Sequence, residues 1–288
     1  MTVREEIAET IRAYMMQLPP IADKPRRVEL VIEYPSVTER HEIIKEIEKM
    51  TAFEDTKAET ETAESLKTSG DRTTLAGGNG AKLAGGYGAT LAGGDYAKLT
   101  GGNYAKLAGG YGATLAGGDC AKLAGGNGAK LAGGYGAKLT GGNYAKLAGG
   151  NCAKLAGGYG ATLAGGDYAT LAGGDYAKLT GGNYAKLAGG YGATLAGGDY
   201  AKLAGGYDAK LAGGNDALIV GDKGSVAKGG IGSVILLVSR DGDRNITAYK
   251  AIKIDGKRYK ADVYYTLGAD GEVKAAAGGE PDAGRNRL

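Results

Sequence analysis

From Thr74 to Ala217 the chain repeats one octapeptide eighteen times without an insertion or deletion. The unit reads Lys/Thr-Leu-Ala/Thr-Gly-Gly-Asn/Asp/Tyr-Gly/Tyr/Cys/Asp-Ala, as in Lys98 to Ala105. An unbroken period of this kind specifies a solenoid, in which each unit buries its apolar face only by stacking on its neighbours. Two adjacent glycines in every eight residues would destroy a helix, whereas they suit tight corners where a positive φ is needed. The expected fold class is therefore all-β, a β-solenoid. Leu and the closing Ala face inward, and the residues on either side of Leu face outward.

The outward first position is Lys in 12 units and Thr in 6. Positions six and seven are complementary. Gly follows Tyr87, Tyr111, Tyr135, Tyr159 and Tyr191, with Tyr207-Asp208 the exception, and Asn or Asp precedes every Tyr or Cys at position seven. Each corner thus has room for one large group, and stacked Tyr and Asn rows stabilise ladders of this kind.

The octapeptide resembles the repeat of bacterial ice nucleation proteins, whose consensus is close to Ala-Gly-Tyr-Gly-Ser-Thr-Leu-Thr. Gly86-Tyr87-Gly88-Ala89-Thr90-Leu91-Ala92 carries the likeness, which covers half of the chain. It implies two octapeptides per 16-residue coil, so the eighteen units make about nine coils. It also implies ice binding through Thr-x-Thr at positions one and three. Those positions read Lys-Leu-Ala, Thr-Leu-Ala or Lys-Leu-Thr and never Thr-Leu-Thr. The expected result of a droplet-freezing assay is freezing close to that of buffer; nucleation far above it would restore the ice-binding reading. The overall plan is also similar to bacterial and phage proteins that pair such octapeptides with a short C-terminal β module. Here the junction is Gly229-Gly230-Ile231-Gly232-Ser233 running into Val234. That likeness implies phage association and, as an alternative function, an inhibitor acting through protein contacts.

Outside the repeat, residues 1–53 read as a small α/β unit. Thr2-Val3-Arg4-Glu5 and Ser36-Val37-Thr38-Glu39 are capping boxes, and Val28, Leu30, Ile32 and Tyr34 alternate as on a half-buried strand. Residues 54–73, rich in Glu, Thr, Lys and Ser, read as a linker. The solenoid is expected over 74–233, because the pattern degrades after Ala217. A β-meander cap follows over 234–274, with Asp241-Gly242 and Asp255-Gly256 as hairpin turns, and 275–288 reads as a disordered tail.

Chemistry finds little footing. His41 is the single histidine and has no nucleophile beside it. Cys120 and Cys152 are too few for a disulfide framework and are expected as buried free thiols. The Gly-Gly steps lead into no helix and so cradle no phosphate. No catalytic residue, metal site, cofactor or small-molecule substrate is expected. The N-terminus is too charged for a signal peptide and no apolar run could span a membrane, which points to the cytoplasm.

The charge is uneven. Residues 1–73 carry 11 basic and 16 acidic groups, while the repeat carries 12 Lys and 7 Asp. The expected interaction surface is a row of Lys82, Lys98, Lys106, Lys122, Lys130, Lys138, Lys146 and Lys154, with Tyr96, Tyr104 and Tyr144 beside it. Tyr259, Tyr264 and Tyr265 of the cap complete it. The expected function is that of a non-enzymatic structural or interaction protein. Its partners are a second copy, as a homodimer, and a protein or an anionic polymer along the lysine row.

Overall fold

The computed structural model describes residues 66–276. The expected α/β unit, the first part of the expected linker, and the tail from residue 277 lie outside the described residues. Within them the fold is a β-solenoid built from two parallel sheets. Strands of consecutive octapeptides alternate between the sheets, so each strand pairs with the one 16 residues away. The first sheet begins at Leu66–Thr68 and the second at Thr74–Ala76. Each stacks eleven parallel strands, making about 11 coils, or roughly 50 Å at the usual strand spacing.

Eleven coils exceed the nine of the regular repeat because degenerate units extend it at both ends. Leu66 to Thr73 forms a unit whose strand pairs in register with Lys82–Ala84, inside the stretch read as linker. Leu218–Gly221, Val226–Lys228 and Val234–Arg240 extend the other end. The pairing Lys98↔Thr114, Leu99↔Leu115, Thr100↔Ala116 is typical. Direct register places Leu over Leu, and Leu83, Leu99 and Leu115 are at most 2 % exposed, as the spacing predicted.

The glycine pair does a different job from the one expected. Neither glycine has a positive φ; position seven does. The first is required by closure: a Cβ on Gly117 would come within 2.6 Å of the Ala121 Cβ. The second clears a path between coils, because a Cβ on Gly118 would land on the Asn103 Oδ1. That oxygen accepts the Asp119 backbone N–H at 2.9 Å. The same bond recurs at each Asn or Asp of position six from Asn79 to Asp199, as from Asp95 to Asn79 and from Tyr159 to Asn143. Corner backbone donors that would otherwise lack a partner are thus satisfied by the coil below.

At the far end Ser225 and Ser233 replace the inward alanine. Both are buried, and each hydroxyl accepts one backbone N–H and donates to one carbonyl (Ala217 and Gly214 for Ser233). The cap is two hairpins rather than one meander. Val234–Arg240 is both the last parallel strand of the second sheet and the first arm of an antiparallel pair with Ile246–Lys253. Tyr265–Leu267 instead joins the first sheet, antiparallel to the strand at Val226, and pairs with Val273–Ala275. That last strand reaches into the region read as tail.

Between the hairpins the chain must cross the open end of the solenoid. It does so with buried Ile254 and Tyr265, which belong to the solenoid core, and with Tyr259, Ala261 and Val263 packed against that core. This crossing explains why a continuous strand from Tyr259 to Leu267 does not form. The turns are fixed by carboxylates: Asp241 Oδ1 accepts the Asp243 and Asn245 N–H groups, and Asp255 Oδ1 accepts those of Lys257 and Tyr259. These backbone donors hold both carboxyls below the usual aspartate range. Their contribution is therefore present above that range and lost as the pH falls through the lowered values.

Candidate interaction surfaces

Two octapeptides per coil split the expected lysine row in two. Lys82, Lys98, Lys130 and Lys146 stand on the first sheet, and Lys106, Lys122, Lys138 and Lys154 on the second. All eight are exposed. None makes a salt bridge among the described residues. Position-six aspartates do not answer them, because those carboxylates serve the backbone bonds between coils.

The corners form two further rows. The first-corner row, reached after each first-sheet strand, carries Tyr87, Tyr104, Cys120, Tyr135, Cys152, Tyr168, Tyr184 and Tyr200. The second-corner row carries Tyr96, Tyr111, Tyr144, Tyr159, Tyr176, Tyr191 and Tyr207. All of these tyrosines except the half-buried Tyr207 are exposed. Tyr96 and Tyr144 each show 62 % of their surface, and Tyr104 shows 54 %. Tyrosines of positions six and seven share one column. Tyr144, Tyr159, Tyr176 and Tyr191 pack edge to face at 5.2 to 5.5 Å between centroids, and Tyr168, Tyr184 and Tyr200 stack nearly parallel at 4.8 to 4.9 Å.

The column explains the pairing of Tyr with Gly. A Cβ on Gly160 would come within 2.8 Å of the Tyr144 ring in the preceding coil, and one on Gly192 within 2.9 Å of Tyr176. The signal was present in the sequence as tyrosines spaced alternately 15 and 17 residues apart, a pattern that becomes visible only once the coil length is known.

Position seven lies in the left-handed region throughout. Glycine holds it in some coils, for example Gly128 at φ 68°, but Tyr104 at 61°, Cys120 at 56° and Tyr144 at 59° hold it in others. Cys120 and Cys152 are accordingly half-exposed rungs of the first-corner column, not buried thiols. The neighbouring Cys120, and then Tyr87, raise the Tyr104 phenol above its usual value; a bond to Cys152 does so for Tyr135, and one to Tyr176 for Tyr191.

The three cap tyrosines are committed internally. Tyr265 is 6 % exposed, its hydroxyl accepts the Lys260 N–H at 2.7 Å, and its ring meets Tyr259 edge to face. Tyr264 lies beneath the ammonium groups of Lys210 and Lys228. They brace the cap and do not extend the exposed surface with the repeat tyrosines.

Among the described residues no group of three or more His, Cys, Asp or Glu is placed to hold a metal ion, and no helix is long and apolar enough to cross a membrane. His41 lies outside them. The fold and surface define a β-solenoid with Lys/Thr rows on its faces and tyrosine columns on its edges. No protein-family model, curated protein or solved structure matches the chain.

Proposed function

We propose that the chain is a non-enzymatic interaction protein whose solenoid is a rigid scaffold pairing with a second copy through the second-corner tyrosines. The observation that carries this reading is the backbone cost of those rings. Tyr144 and Tyr176 sit at φ 59° and 57°, where glycine serves in other coils. A non-glycine residue there costs about 1 kcal/mol or more. Ring-to-ring packing within the column offsets part of that cost, yet leaves Tyr144 62 % and Tyr176 48 % exposed. Exposed tyrosine combines apolar bulk with a polar tip, the property that enriches it at interfaces.

A second copy is the partner of matching geometry. Two identical columns related by a two-fold axis share one coil spacing, so a rung aligned at one level is aligned at all. The expected result is a homodimer in light scattering at micromolar concentration. Tyr144→Gly with Tyr159→Asn and Tyr176→Gly should convert it to monomer. These replacements occur at the same repeat positions in other coils, as at Asn127-Gly128, so the fold is retained. A strictly monomeric full-length protein, or a triple variant that stays dimeric, would reject the reading.

A further inference from the structure

The second-sheet lysine row and the first-corner column run side by side. Lys106, Lys122, Lys138 and Lys154 occupy four successive coils in direct register. The first-sheet row is different: Thr114, Thr162 and Thr194 interrupt it, so no more than two lysines follow one another there. Successive coils set the second-sheet lysines about 4.8 Å apart, which places four like charges along roughly 14 Å. Charges this close repel. Within these coils the first-corner positions six and seven carry one carboxylate, Asp119, and its Oδ1 already accepts the Tyr135 N–H at 2.8 Å.

The corner column lies beside the lysines: Tyr104, Cys120 and Cys152 stand two residues before Lys106, Lys122 and Lys154, across a buried alanine, and Tyr135 stands three before Lys138. The column is open in this stretch. The cysteine rungs separate Tyr104, Tyr135 and Tyr168. Among the described residues, Tyr104 meets another ring only on its Tyr87 side and Tyr135 meets none, unlike the closed stack from Tyr168 to Tyr200. Among the described residues, aromatic faces without a ring partner thus stand beside cations without a counter-charge.

We propose that this stripe binds single-stranded nucleic acid, the lysines taking phosphates and the Tyr104 and Tyr135 rings taking bases. A polyphosphate or sulfated polysaccharide would engage the lysines alone, and a duplex keeps its bases stacked inside. A single strand presents phosphates and free base faces together, and a basic track beside aromatic platforms is what such strands require. The stripe is separate from the second-corner column, so failure of pairing through that column leaves this reading standing, and the reverse.

The test is fluorescence anisotropy of labelled oligo(dT) and oligo(rU) with the full chain. Four phosphate contacts on a single strand give a log–log salt slope near −3, so affinity should fall roughly 50-fold between about 50 and 200 mM salt. Lys106, Lys122, Lys138 and Lys154, changed together to Thr, should weaken binding at least about tenfold and flatten that slope. Thr holds the same position in six other units, so a melting curve close to wild type is expected. Tyr104→Gly with Tyr135→Asn should weaken binding about tenfold or more while leaving the slope unchanged. Lys82→Thr with Lys98→Thr on the opposite sheet should leave affinity unchanged. The proposal is overturned if neither oligonucleotide binds at the lower salt, or if the quadruple lysine variant binds as wild type does. It is also overturned if the tyrosine variant binds normally and polyphosphate competes as well as oligonucleotide, which would mark a charge-only polyanion site.

Discussion

Leu139→Asp should unfold the middle of the solenoid, at a cost above about 4 kcal/mol. Leu139 is 1 % exposed and lies in direct register between Leu123 and Leu155. Its surroundings are the leucine and alanine side chains of neighbouring coils, which give a carboxylate neither a hydrogen-bond donor nor a counter-charge. A solenoid is coupled mainly through nearest neighbours, so a break here separates two blocks of coils. Urea denaturation followed by circular dichroism should lose its single steep transition, and limited proteolysis should cut near the substitution. Leu139→Ala removes only packing and should cost about 2–5 kcal/mol. Thr140→Asp, one residue away on the outward face, should stay within about 0.5 kcal/mol of wild type. Equal effects from the changes at 139 and 140 would mean that this leucine does not face the interior.

Gly118→Ala should destabilise by about 2–4 kcal/mol, while Gly128→Ala costs only about 1 kcal/mol. The ordering is the reverse of what backbone conformation alone implies. Gly128 has φ 68°, where alanine is strained, yet a Cβ there meets nothing within 4 Å. Gly118 has no positive φ. Its Cβ would nevertheless strike the Asn103 Oδ1 and come within 2.8 Å of the Asn103 backbone nitrogen, displacing the bond that the Asp119 N–H makes to that oxygen. Unfolding midpoints of the two variants measure the difference directly. If Gly128→Ala proves the more damaging, the steric account of the second glycine is wrong and its role is conformational.

The repeat supplied more of the fold than a chain of this length ordinarily reveals, because each physical constraint is stated eighteen times over. Leu every eight residues with outward neighbours required a strand, and the glycine pair required a corner. The surface was less legible for the same reason: identical units look like one row until the coil length assigns alternate units to opposite sheets. Thus Lys98 and Lys106 are eight residues apart and share no face, whereas Lys106 and Lys122 are sixteen apart and are neighbours. Tyr144 and Tyr159 belong to one column although they occupy different positions of the unit.

The irregular ends were read least well. Leu66 to Thr73 keeps only Thr68, Gly70 and Asp71 of the consensus, with Asp71 Oδ1 accepting the Tyr87 N–H as in the regular units. It joins the first sheet because backbone hydrogen bonding to Lys82–Ala84 does not depend on side-chain identity. The C-terminal tyrosines looked like exposed area seeking a partner, but Tyr265 and Tyr259 cover the open end of the solenoid. By itself the sequence determined the local choices at Leu, Gly and Ala, since those depend on period and on steric limits within and between adjacent units. Tertiary structure alone decided which lysines and tyrosines stand together and where the C-terminal cap docks, because those depend on contacts such as Tyr144–Tyr159, 15 residues apart, and the Thr266 hydroxyl on the Ser225 carbonyl, 41 apart.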